Sequence, residues 1–159
     1  MRKFGLLIGI LFLASLSAMA QKVEAFVGYS LVDVNGTTLN GGVGSVAFDV
    51  VKHVAIVGEV AGYVPSSGSG HAYTFMGGPK VSFKIGPIIP FGQALFGDLH
   101  TTGGGSSSDN FAAAWGGGVD LNVNRHFAIR LGQFEDLYTQ VGGGSQNNFR
   151  YSGGVVFKL

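Results

Sequence analysis

The sequence predicts an all-β protein: an eight-stranded antiparallel up-and-down transmembrane β-barrel that follows an N-terminal signal peptide. Three observations carry this. Apolar and polar residues alternate with period two along most of the chain after residue 21. Turn signals rich in Gly, Asn, Asp and Pro recur at regular intervals. The composition is apolar and yet glycine-rich: 46% hydrophobic, 12% aromatic and 12% charged, with 28 Gly among 159 residues. A soluble domain carries about 25% charged residues, and a glycine-rich disordered segment lacks the apolar content. A barrel reconciles the two, because Gly relieves crowding where strands coil around a narrow interior.

Residues 1–20 read as the signal peptide. Arg2 and Lys3 form a positive start, Phe4 to Leu16 is apolar, and Ala18-Met19-Ala20 is a small-x-small cleavage site before Gln21. That apolar stretch is short for a spanning helix, and no later run reaches the length one needs. Residues 21–159 then form one barrel domain.

The strands follow in order. In Val23–Leu31, the odd residues Val23, Ala25, Val27, Tyr29 and Leu31 oppose Glu24, Phe26, Gly28 and Ser30. Asn35-Gly36 marks the loop Asp33–Thr38. In Gly42–Val50, Val46, Phe48 and Val50 oppose Ser45, Ala47 and Asp49, and Lys52-His53 turns the chain. In Ala55–Tyr63, Glu59 opposes Ile56 and Val60; a polar loop Pro65–Gly70 follows. In Ala72–Phe83, Tyr73, Phe75, Val81 and Phe83 oppose Thr74, Lys80 and Ser82, and Lys84–Pro87 turns. Ile89–Leu99 holds Gln93 as its polar residue, and Thr101–Asn110 is the longest polar stretch. In Phe111–Val123, Trp115, Val119, Leu121 and Val123 oppose Gly116, Gly118, Asp120 and Asn122; Asn124–His126 turns. In Phe127–Tyr138, Ile129 and Leu131 oppose Arg130, and polar residues on both faces at Gln133–Asp136 point to a bulge. After a loop at Gly142–Asn147, Asn148–Leu159 sets Phe149, Tyr151, Val155, Phe157 and Leu159 against Arg150, Ser152, Gly154 and Lys158.

Short turns thus alternate with longer polar loops, the layout of bacterial barrels with periplasmic turns and outer loops. A soluble sandwich also alternates, so the charges decide. Glu24, Asp49, Glu59, Lys80, Asp120, Arg130 and Arg150 stand at strand positions opposite an aromatic-rich apolar face. In an eight-stranded membrane barrel the apolar face meets lipid and side chains fill the interior. Unpaired burial of charge is costly, so these residues are expected to form a lumenal ion-pair network. Tyr29, Tyr63, Tyr73, Trp115, Tyr138 and Tyr151 are expected in the aromatic girdles.

The ending Ser152-Gly153-Gly154-Val155-Val156-Phe157-Lys158-Leu159 resembles the C-terminal assembly signal of outer-membrane proteins, matching at Ser152, Gly154, Phe157 and Leu159. That signal usually ends in an aromatic, and Leu159 departs from it. The whole of Gln21–Leu159 resembles the small outer-membrane β-barrel domain family, of OmpA/OmpX-type architecture. The segments Phe75–Lys80, Pro90–Gly97 and Arg130–Phe134 contribute to the likeness. The resemblance implies a bacterial outer-membrane location, lipid as surroundings, recognition by the barrel-assembly machinery and a monomeric barrel. It assigns no activity.

Other chemistry finds little support. With net charge +1 and no basic run after Arg2-Lys3, nothing draws nucleic acid. Without cysteine there are no disulfides, thiolate sites or lipidated N-terminus. The Gly triplets at 103–105, 116–118 and 142–144 lack the Lys-Ser/Thr of a phosphate loop. His71 near Ser66, Ser67 and Ser69, and His100 near Ser106–Ser108 and Asp109, raise the idea of a lipid-modifying enzyme at the outer rim. His53 and His126 fall in the opposite turns. The expectation is a structural or surface-interaction barrel without cofactor, metal or enzymatic activity. The alternative is a narrow channel or hydrophobic-solute passage, with interior Gly116, Gly118 and Gly154 leaving a cavity.

Overall fold

A computed structural model describes residues 22–66 and 69–159. The expected cleavage site at Ala18, Ala20 and Gln21 lies outside them. The strands are β1 (Val23–Val34), β2 (Thr37–Val51), β3 (Val54–Pro65), β4 (His71–Ser82), β5 (Ile88–Gly103), β6 (Ser106–Asn122), β7 (Phe127–Val141) and β8 (Gly144–Lys158). Each pairs antiparallel with its neighbours in sequence, and β8 pairs with β1, so the sheet closes in chain order.

The eight strands are those the alternation predicts, and Pro65–Gly70 connects β3 to β4 as expected, but the other three polar stretches are not loops. β2 starts at Thr37, β6 at Ser106 and β8 at Gly144, and β5 runs on to Gly103. The reason lies in the tips. Asn35-Gly36 (φ 51° and 80°), Gly104-Gly105 (60° and 81°) and Gly142-Gly143 (60° and 80°) are left-handed at both positions. Two such residues make a tight turn whose twist matches that of the strands, so the hairpins stay zipped to their ends. The Thr101–Asn110 and Gly142–Asn147 expectations are therefore corrected: these are two-stranded ribbons. A spanning strand needs about ten residues, and β6 has 17. Its surplus of about seven residues, at roughly 3.3 Å each and tilted by about 40°, projects about 18 Å beyond the span. We call this end the ribbon side. The opposite, turn side holds Lys52-His53 and the segments Phe83–Pro87 and Val123–His126.

The bulge sits in β7 slightly earlier than the sequence reading placed it. Arg130 pairs with Gly154 and Gln133 with Ser152, while on the other edge Val119 faces Gly132 and Asp120 faces Arg130. The extra residue inverts the parity of β7 beyond Leu131, so Gln133, Glu135 and Leu137 turn inward.

The inward face is the packed core. Phe26, Val32, Val43, Val57, Met76, Leu95, Leu137 and Val156 are buried there with small alanines. Gly116, Gly118 and Gly154, on which the alternative of a cavity rests, are closely packed instead. A Cβ on Gly118 would stand 2.3 Å from the Gly132 carbonyl and 2.8 Å from the Phe91 ring. One on Gly116 would meet the Phe134 carbonyl at 2.0 Å, and one on Gly154 the Val27 carbonyl at 2.3 Å. These residues are small because neighbouring strands press against them.

Candidate functional site

The lumen holds a layered polar network built from seven of the eight strands. Arg150 on β8 is its centre. Its Nη1 meets the Glu59 carboxylate of β3 at 2.6 Å, its Nε donates to Glu135 Oε2 of β7 at 2.7 Å, and its Nη2 also contacts Glu135. Arg150 is fully buried, as are both carboxylates. Glu59 takes its ion pair without any well-directed hydrogen bond, so charge alone holds it. Glu135 also accepts from Gln93 at 2.8 Å and from Gln133 at 2.9 Å.

Gln133 links this layer to the next. Its Oε1 accepts from Arg130 Nη1 at 2.7 Å, and Arg130 grips Asp120 with a second pair of N–H groups. The Arg130 guanidinium lies between the Phe26 and Phe91 rings, 4.2 and 4.3 Å from their centroids. The flat, delocalised cation suits such a slot better than an ammonium does. Nearer the turn side, Lys80 pairs with Glu24 at 3.0 Å and lies over Phe91 at 4.7 Å. Tyr63 OH contacts both Arg150 and Ser30 Oγ, and Ser30 meets Ser152 at 2.9 Å.

The structure therefore brings together Glu24, Glu59, Lys80, Asp120, Arg130 and Arg150 in the lumen. Asp49 does not join them. It sits near the turn-side end of β2, half-buried at the mouth, without an ion pair among the described residues. Glu135 takes the fourth acidic place instead. Simple alternation hides Glu135 because the bulge lies between it and Arg130. The outward aromatic run Phe134 and Tyr138, with Glu135 and Leu137 between, is the signal that reveals it. Tyr63 corrects the girdle assignment: it is buried inside, 4% exposed, because β3 sets odd residues inward and Arg150 offers its hydroxyl a partner.

The outer face is a continuous apolar belt. Val27, Ile56, Val60, Phe75, Phe96, Ile129, Leu131 and Phe134 are all exposed on it. Rings gather at both of its edges: Phe48, Phe83, Phe127 and Phe157 toward the turns, and Tyr29, Tyr73, Phe111, Trp115, Phe149 and Tyr151 toward the ribbons. Trp115 stacks on Tyr138, their centroids 6.4 Å apart. Asp98 and Asp136 also face outward, both at the ribbon-side edge, where they pair across strands with Phe111 and Phe149. Of the assembly-signal residues, Ser152 and Gly154 point inward, Phe157 packs edge-on against Phe127 at 5.3 Å, and Leu159 is exposed at the turn-side end.

At the ribbon side His100 Nδ1 contacts Asp109 Oδ1 at 2.5 Å. No serine or threonine hydroxyl hydrogen-bonds His100 among the described residues, and His71 joins only the Tyr73 ring at 6.5 Å. Among these residues no cluster of His, Asp and Glu has the spacing of a metal site. The ribbons themselves separate. β6 pairs with β7 only from Ala112–Thr139 downward, whereas β5–β6 pairing continues to Gly103–Ser106 and β7–β8 pairing to Val141–Gly144. A polar cleft of about 480 Å³ opens between them, lined by Asn110, Tyr138, Gln140 and Ser145 among others.

No protein-family model matches the chain, and no curated protein sequence matches it. Solved structures do share its shape. Neisserial surface protein A superposes with a TM-score of 0.68 at 13% identity, over 89% of this chain and 98% of that one. The N-terminal β-barrel domain of Pseudomonas aeruginosa OprF gives 0.67 at 15% identity, over 87% and 97%. Ail, the attachment invasion locus protein of Yersinia pestis, gives 0.56 at 17% identity, over 89% and 100%. The chain has the fold of the small eight-stranded outer-membrane barrels.

Proposed function

We propose that this protein is an integral barrel of the bacterial outer membrane with a surface-interaction role, exported by residues 1–20 and inserted by the barrel-assembly machinery through the β8 ending. The observation that carries this is the contrast between a filled lumen and projecting ribbons. Arg130, Gln133, Glu135 and Arg150, all buried and hydrogen-bonded to one another, fill the middle of the interior. The ribbons instead offer the unpaired β6 edge at Ser106–Phe111. An unpaired edge presents a row of N–H and C=O groups that another extended chain can match. Ser, Asn, Gly and Gln dominate this edge and the β8 tip, which keeps them soluble until a partner arrives.

Membrane fractionation with gel mobility before and after boiling tests the location and the closed barrel. External protease on intact cells then tests the exposure of the ribbons. Recovery in the soluble fraction, or ribbons protected in intact cells and cut only after lysis, refutes the reading. Planar-bilayer recording separates it from a channel: steady single-channel steps from folded protein favour the channel, and silence favours the plugged barrel. The His100–Asp109 contact is the one feature that favours a rim enzyme. Lipid A masses that change with expression and revert in His100→Ala would establish that reading over ours.

A further inference from the structure

Every Lys and Arg among the described residues belongs to one of two sets. Lys80, Arg130 and Arg150 are ion-paired in the lumen. All the others, Lys22, Lys52, Lys84, Arg125 and Lys158, line a single cavity of about 840 Å³ at the turn-side mouth. They come from both ends of the barrel sheet and from all three turns, so the fold, not a local run, assembles them. The acids within reach are Glu24 and Asp49. Glu24 is engaged by Lys80, which leaves Asp49 as the one uncommitted carboxylate side chain on the wall. Lys22, Lys52, Lys84 and Arg125 make no ion pair among the described residues.

The cavity is blind. Its inner end meets the Glu24–Lys80 pair, with Asp120–Arg130 beyond. It is therefore a pocket and not a passage. Its volume lies within the ~300–1,000 Å³ range of ligand sites. Like charges gathered in a concave wall focus their field into the concavity and repel one another. An entering anion gains from the first and relieves the second. Ser82, Asn122 and Asn124 add neutral polar groups to the wall, and Val51 and Ile89 add apolar surface.

We propose that the turn-side mouth binds a ligand bearing more than one phosphate charge, held chiefly by Lys52, Lys84 and Arg125. A planar Arg with flanking Lys is the donor set suited to phosphate oxygens. The cavity far exceeds one phosphate, so the ligand carries further phosphates or an organic body. Anionic phospholipid headgroups and soluble phosphorylated molecules share this chemistry.

The folded chain in zwitterionic micelles, titrated with inorganic tripolyphosphate by calorimetry, tests the soluble source. Nanodiscs of phosphatidylcholine with and without phosphatidylglycerol, followed by amide chemical shifts at Lys84 and Arg125, test the lipid source. The expected result is saturable binding in at least one arm. It weakens as salt rises and falls about tenfold or more in Lys84→Gln/Arg125→Gln, a loss of about 1.4 kcal/mol. Lys52→Gln, on a separate turn, gives a second and smaller loss, while His71→Gln at the far end changes nothing. Each variant is checked for folded gel mobility. A response confined to the phosphatidylglycerol arm assigns the site to headgroups. Absence of a saturable response in both arms, or undiminished binding by the double variant, overturns the proposal.

Discussion

Arg130 holds Asp120 through two parallel hydrogen bonds, Nε to Oδ1 at 2.7 Å and Nη2 to Oδ2 at 3.0 Å, at the point where β7 gains a residue over β6. The pair is the last in register before Leu131 is passed over. A two-pronged bond tolerates little sliding, so it pins the bulge in place. Everything beyond the bulge depends on that, because a one-residue slip exchanges the two faces of a strand.

Leu131 is the surplus residue, so deleting it closes a regular ladder on both edges with Gln133, Glu135 and Leu137 still inward and Phe134 still outward. The variant is expected to keep the folded, boiling-sensitive gel band. Deleting Ser107 disturbs only a ribbon and also leaves that band intact. Loss of the folded band in the Leu131 deletion alone would show that the bulge itself, and not only the facing it sets, is needed.

Arg150 balances Glu59 and Glu135 together. Arg150→Met strands two buried carboxylates, and removing one partner of a buried pair costs about 3–5 kcal/mol. Urea unfolding in vesicles should show a loss at least that large. The triple variant Arg150→Met/Glu59→Gln/Glu135→Gln removes the stranded charges and should recover most of it. Equal loss in both would mean that shape, not charge balance, is what Arg150 supplies.

Gly118→Val forces its side chain against the Gly132 carbonyl and the Phe91 ring. Backbone cannot step aside as a flexible side chain can, so the cost is expected at or above the ~1–3 kcal/mol typical of overpacking. Gly42→Ala is the contrast: the nearest atom to its Cβ is 3.9 Å away, and its stability should stay within about 0.5 kcal/mol of the parent. Paired unfolding curves of the two variants check this.

Phe96, 53% exposed on the belt, faces hydrocarbon if the barrel spans a membrane. Phe96→Arg is then expected to cost about 2–4 kcal/mol in vesicles, while Ser107→Arg on a ribbon costs little. Similar small effects at both sites would place water, not lipid, against the belt.

The order and closure of the strands were legible because Val, Phe, Tyr and Ile recur at every second position opposite Gly, Ser and charge. Six of the seven named lumenal charges could be placed by parity alone. Two features were hidden for physical reasons. The parity reversal in β7 is a property of backbone hydrogen bonding at Leu131, which leaves only a blurred pattern at Gln133–Asp136, so Glu135 escaped. The ribbons were hidden because Ser, Asn, Gln and Gly make up loops and water-exposed strands alike. Only the doubly left-handed Asn35-Gly36, Gly104-Gly105 and Gly142-Gly143 pairs distinguish them. Tyr63 was misplaced for a third reason: a tyrosine fits a lipid boundary and a polar interior equally well.

The uneven placement of lysine and arginine also gives the barrel a direction of travel. Dragging each such group through hydrocarbon costs about 2.5–3.5 kcal/mol, whereas the hairpin tips carry none of them and only Asp33 and Asp109 as fixed charges. A chain entering a bilayer from one side thus has a cheap leading edge and an expensive trailing one. Such a chain is expected to thread tip first and to rest with its cationic rim on the compartment it came from, so the polypeptide itself favours one orientation.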